Sequence, residues 1–150
     1  MRAFELANRY IGIHELATGD HPLIQWWLSL CGMPTDVTDE TPWCSAFVNG
    51  MAWELRLPRS KSAAARSWLA VGEVIRLEQA RPADDVVILK RGVGDQPGPE
   101  VLNAQGHVGF FAGIQNDHVM VLGGNQGDAV CVKPFPAGLV LGVRRLSGIV

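Results

Sequence analysis

The spacing of apolar positions changes about halfway along the chain. From Arg2 to Ile13, residues Phe4, Leu6, Ala7, Tyr10 and Ile11 recur near helical spacing, and Gly12 and Gly19 mark a weak end and a loop. Asp20-His21-Pro22 reads as a helix start, followed by Leu23, Ile24, Trp26, Trp27, Leu28 and Leu30, with Gly32 and Pro34 closing it. Thr35 to Thr41 is a polar, acidic loop. A third helical pattern, Ala46, Phe47, Val48, Met51, Ala52 and Leu55, predicts a helix from about Pro42 to Leu57, stopped by Pro58. Ser60 or Ser62 can cap a short helix over Ala63–Val71, ended by Gly72.

Beyond this point the pattern becomes that of strands. Val86–Leu89, Val108–Ala112, His118–Leu122, Ala129–Val132 and Leu139–Val143 are short β-rich runs, a set of four or five strands. Gln115-Asn116-Asp117 predicts a hairpin turn, and Arg91–Ala104, rich in Gly and Pro, predicts a loop. Helices first and strands second, in 150 residues, predict one α+β domain over 1–150, with N-terminal helices packed on a small antiparallel sheet.

Composition narrows the classes. A hydrophobic content of 47% against 19% charged residues describes a folded chain rather than a disordered one. The net charge is −2, and no Lys/Arg run offers a nucleic-acid or polybasic membrane footprint. No apolar run approaches the roughly 18–20 residues of a membrane span. The first nine residues are broken by charge and hold no apolar signal-peptide core, so the expectation is synthesis in the cytoplasm without a signal peptide. Three cysteines, Cys31, Cys44 and Cys131, form no CxxC pair, and a Cys31–Cys131 bridge stays open. No cofactor is implied. His107, His118 and Cys131 fit no standard metal-ligand spacing, so no metal is expected.

The candidate chemistry begins at Thr41-Pro42-Trp43-Cys44-Ser45-Ala46-Phe47-Val48. Cys44 falls in or beside the first turn of the third helix, where unpaired N–H groups and the positive end of the helix dipole favour a thiolate. A buried structural cysteine suits the same stretch. His107 follows Gly106 and opens the strand beginning at Val108, a placement suited to facing a helix terminus. His14, His21 and His118 sit in loops or turns. Asn125, within Leu122–Asp128, can orient an imidazole through its side-chain amide, although a Gly/Asn turn is common there. Thiolate attack on a carbonyl, a histidine to move the proton and a polar group to hold the ring make one mechanism, with helix N–H groups stabilising the oxyanion.

Pro42-Trp43-Cys44-Ser45-Ala46-Phe47, Gly106-His107-Val108-Gly109-Phe110 and Gly123-Gly124-Asn125-Gln126 together resemble the NlpC-like and CHAP (cysteine, histidine-dependent amidohydrolase/peptidase) superfamily. They are most similar to a phage- and prophage-associated group within it, which Ala65-Arg66-Ser67-Trp68-Leu69 also resembles. The resemblance spans nearly the whole chain. It implies a papain-like fold and hydrolysis of amide bonds in peptidoglycan, with Cys44 as nucleophile, His107 as general base and acid, and Asn125 as orienting residue. Trp43 stands where many CHAP domains carry Gln, and an indole cannot repeat that amide's help to the oxyanion. Trp43, Glu40, Ser45, Arg66, Trp68 and Gln126 are the remaining oxyanion or substrate candidates. The partner implied is peptidoglycan, reached in the periplasm or at the wall after release or delivery, as a phage lysis enzyme or an antibacterial effector; a holin, secretion-system or immunity partner would not be visible in the sequence. A papain-like acyltransferase and an inactive wall-binding module are the competing readings.

Overall fold

The computed structural model describes residues 1–33 and 42–148, so Glu40 lies outside the described residues. Helix α1 (Ala3–Asn8) starts where the Asp84 carboxylate accepts from both the Ala3 N–H (2.8 Å) and the Arg2 guanidinium (2.7 Å). It is shorter than the apolar pattern to Ile13; Tyr10 and Ile13 pack on the core from turns instead. Helix α2 (Pro22–Ser29) has Pro in its first turn, and the His21 Nδ1 accepts the Leu23 N–H at 3.1 Å, so His21 is its cap. Helix α3 (Cys44–Glu54) is buried on all sides from Cys44 to Ala52. A helix buried all round belongs in a core, and α3 lies between α2 and the sheet, with α1 packed beside it on β3 and β4. The short helix expected at Ala63–Val71 is a 3-10 helix, Ala65–Ala70.

Six strands, β1 (Glu73–Ile75), β2 (Asp85–Lys90), β3 (Gly106–Gln115), β4 (His118–Gln126), β5 (Ala129–Pro136) and β6 (Val140–Arg145), form one antiparallel sheet in the order β1-β6-β2-β3-β4-β5. This exceeds the expected four or five, because β1 is a three-residue edge strand with two exposed residues and leaves little apolar signal. The two faces of the sheet are distinct. Val86, Ile88, Val108 and Phe110 pack with the helices, whereas Val87, Leu89, Phe111, Val121 and Val143 pack on the far face with Leu77, Phe135 and Leu139. Both faces of β2 are therefore covered, and Val86–Leu89 reads as an unbroken apolar run rather than an alternating one.

An aromatic line joins the layers. Tyr10 meets Trp27 edge-on at 5.5 Å, Trp27 stacks near Trp43 at 6.1 Å and meets Phe47 at 5.0 Å, and Phe47 reaches Phe110 of β3 at 6.2 Å. Each edge-to-face pair adds roughly 0.5–1.5 kcal/mol beyond its burial. Trp43 caps α3 and Phe47 lies in its first turn, so this packing fixes the start of that helix against the sheet.

Candidate active site

Cys44 is the first residue of α3 and only 3% exposed. The backbone N–H groups of Val108 on β3 and of Ser45 and Cys44 at the helix start all act on its sulfur. Val108, the largest of these influences, follows His107 on β3. These N–H groups favour a thiolate, but burial outweighs them and holds the thiol above the ordinary cysteine range. The expected depression of its pKa at the helix terminus is thus opposed by burial, the larger effect.

His107 is 6% exposed and stacks on Phe135 at 5.1 Å. Its Nε2 lies 2.9 Å from Oε1 of Gln126, not from Asn125. The amide orientation follows from its other end: the Gln126 Nε2 donates to the carbonyls of Cys131 (2.8 Å) and Val121 (3.2 Å), which can only accept. The oxygen therefore faces the ring, the ring Nε2 must be the donor, and Nδ1 is the basic nitrogen of the neutral imidazole.

A β-bulge explains the one-residue correction from Asn125 to Gln126. Between Gly123 and Gln126 the register against β5 advances from Cys131 to Ala129, so β4 carries an extra residue. Asn125 takes the left-handed conformation there, with φ 58°. An extra residue reverses which side chains share a face, so Gln126 takes the position an unbroken strand would give Asn125. The two glycines before the bulge serve contact rather than turning. A Cβ on Gly123 would stand 2.5 Å from Oε1 of Gln126, and one on Gly124 would stand 2.6 Å from the Trp43 ring.

The other candidates are scaffold. The Trp43 indole donates to Glu15 (2.8 Å), which removes it as an oxyanion donor. Ser45 Oγ donates to the Ser62 carbonyl (2.6 Å) and accepts from the Trp68 indole (2.9 Å), and all three of Trp43, Ser45 and Trp68 are fully buried. Arg66, also fully buried, donates to the carbonyls of Pro97, Gly98, Val101 and Gln105. It pins the loop between β2 and β3, and burial with all three guanidinium nitrogens bonded to backbone carbonyls explains why it is not a substrate contact. None of these four lines either of the two cavities at the site.

One cavity, about 280 Å³, is lined by Cys44, Pro42, Ala64 and Gly106; the other, about 470 Å³, by His107, Asn125, Gln126 and Phe135. The thiol and imidazole thus open to different cavities, and Arg91 lines both. Arg91 escaped the sequence reading because it opens a loop; its signal is its place one residue past Lys90, the β2 residue paired with Gly106. Among the described residues, no group of three or more His, Cys, Asp or Glu could hold a metal, and no helix is long and apolar enough to cross a membrane.

Burial pushes the His107 imidazole down to about 4, aided by the charges of Arg91 and Lys133 and opposed by the Gln126 bond. The unfolded chain takes up this proton near pH 6.5, the folded one only near 4. Stability is thus full above about pH 6.5 and falls as pH drops toward 4, by about 3 kcal/mol from this residue. Urea midpoints at pH 7 and 4.5 for the protein and its His107→Gln variant check this: the variant should lose less stability on acidification.

No protein-family model and no curated protein matches the chain. Among solved structures, NlpC1 from Trichomonas vaginalis superposes with a TM-score of 0.56 at 17% identity, over 96% of this chain. The match spans 42% of that structure's length. The likeness is one of fold: the chain has an α+β, papain-like fold of the NlpC kind.

Proposed function

We propose that the chain is one papain-like domain that hydrolyses amide bonds of bacterial peptidoglycan, with Cys44 as nucleophile and His107 as general base and acid. The observation that carries the reading is Cys44 at a helix start, under the influence of the Val108 N–H next to His107, whose outer nitrogen Gln126 holds. The NlpC-type fold and the resemblance of the three sequence blocks support the substrate class. Gln126 takes the orienting role, and Asn125 lines the cavity beside it.

Nδ1 of His107 takes the thiol proton as sulfur attacks the carbonyl carbon. The negative charge passes to the carbonyl oxygen, where N–H groups at the start of α3 stabilise it. Collapse breaks the C–N bond, the imidazolium gives its proton to the leaving amine, and a thioester remains. Water, deprotonated by the same nitrogen, releases the acid and the thiol. Gln126 retains the Nε2–H throughout, so only one nitrogen titrates.

Purified sacculi incubated with the protein should release fragments whose mass spectra show new amino and carboxyl ends at a muramic acid–L-alanine or stem-peptide amide, with glycan chains uncut. Intact sacculi, or new reducing sugar ends, overturn the reading.

A further inference from the structure

The larger cavity carries charge that the proposed chemistry leaves unused. Lys90, Arg91 and Lys133 line it, against Asp128 as its single acid. None of the three cations makes an ion pair among the described residues, whereas Arg2 and Arg145 pair with the buried Asp84 and Asp85. In a chain of net charge −2, such a cluster around one cavity stands out. Lys133 lies over the Phe135 ring at 5.7 Å, and Phe135 stacks on His107, so this charge is held beside the imidazole.

Resting on the hydrolase reading, we propose that Lys90, Arg91 and Lys133 form a subsite for a carboxylate of an acidic peptide, next to the scissile amide. A guanidinium matches a carboxylate with two parallel hydrogen bonds, and ammonium groups add undirected charge. The volume, about 470 Å³, lies within the range of small-ligand pockets, roughly 300–1,000 Å³. Arg91 also lines the Cys44 cavity, so a carboxylate held by it lies at the junction of the two cavities. The subsite is coupled to the chemistry as well. Arg91 and Lys133 disfavour the imidazolium, and an arriving carboxylate offsets them, so the substrate itself restores basicity to His107.

The test is calorimetric binding to the Cys44→Ala protein, which cannot turn over. The probes are a purified acidic muropeptide and the same muropeptide with its carboxylates converted to amides. The acidic form should bind at least about 10-fold tighter at low salt, as a charge-assisted pair in a partly enclosed site allows. The gap should narrow as salt rises. Arg91→Gln and Lys133→Gln in that background should each remove much of the gap, and Arg9→Gln, on the exposed end of α1, should leave it. Equal binding of the two forms, no binding of the acidic form, or a gap untouched by Arg91→Gln and Lys133→Gln overturns the subsite. Digestion of sacculi by the unsubstituted protein separates the two ideas. Cutting with no carboxylate preference sinks the subsite alone; a preference without cutting sinks the hydrolase and leaves the subsite.

Discussion

Cys44→Ala should abolish peptidoglycan turnover, by on the order of 10⁴-fold or more, because no other group can form the acyl intermediate. The variant should fold, since Ala is a good helix former at the start of α3 and removes a single buried sulfur. Cys44→Ser should be as inactive. Burial keeps His107 near 4, a weak base, and raises the Cys44 thiol, so in the proposed mechanism the proton transfer is already uphill. A hydroxyl is a still weaker acid, and the same imidazole cannot ionise it. Cys31→Ala is the better control, because the Cys31 sulfur hydrogen-bonds the Trp27 carbonyl, whereas Cys131 touches Gln126. Dye release from labelled sacculi measures the loss, and thermal melts exclude unfolding. Alkylation of Cys44 in the free protein should accelerate only at alkaline pH, above the ordinary thiol range. Fast alkylation at pH 6 would show a preformed thiolate and remove the neutral thiol–imidazole pair from the mechanism.

The sequence carries the layers of this fold because burial leaves a periodic trace. Phe47, Val48 and Met51 mark α3, and Val86–Leu89 marks a strand covered on both faces. It carries less where a few residues act by geometry. Glu73–Ile75 is an edge strand with almost no burial, and nothing in three residues announces it. The bulge at Asn125 is a change of parity by one residue, and pattern alone assigns Asn125 the place that Gln126 occupies. Arg66 and Trp68 read as special residues and are, but as buried struts: one pins the loop after Lys90, the other holds Ser45. The cations around His107 come from the end of β2 and from β5, far apart in sequence, so no run of charge reveals them.

Gln126→Ala should lower turnover by roughly 10²–10³-fold with little change in KM, because the ring then samples the wrong tautomer and pose. Asn125→Gly, one residue earlier, should be nearly silent: φ is 58° there, and Gly adopts it without strain. Asn125→Ala should destabilise the fold by about 1 kcal/mol through that same angle, with activity per folded molecule retained. Gln126→Glu is not a conservative exchange. The Gln126 amide donates to the Val121 and Cys131 carbonyls, and a carboxylate would set oxygen against both. About 1–3 kcal/mol of stability should be lost for buried acceptors left without a donor. A structural role alone would predict that activity tracks stability across the four variants. An orienting role predicts a different order, with Gln126→Ala inactive though folded and Asn125→Ala active though weakened. Nitrogen NMR of His107 supplies the second readout. The native ring should carry its proton on Nε2, and Gln126→Ala should show a tautomer mixture, since the acceptor that selects Nε2–H is gone. A native ring protonated on Nδ1 would reverse the assignment and leave Cys44 facing a nitrogen that cannot accept its proton.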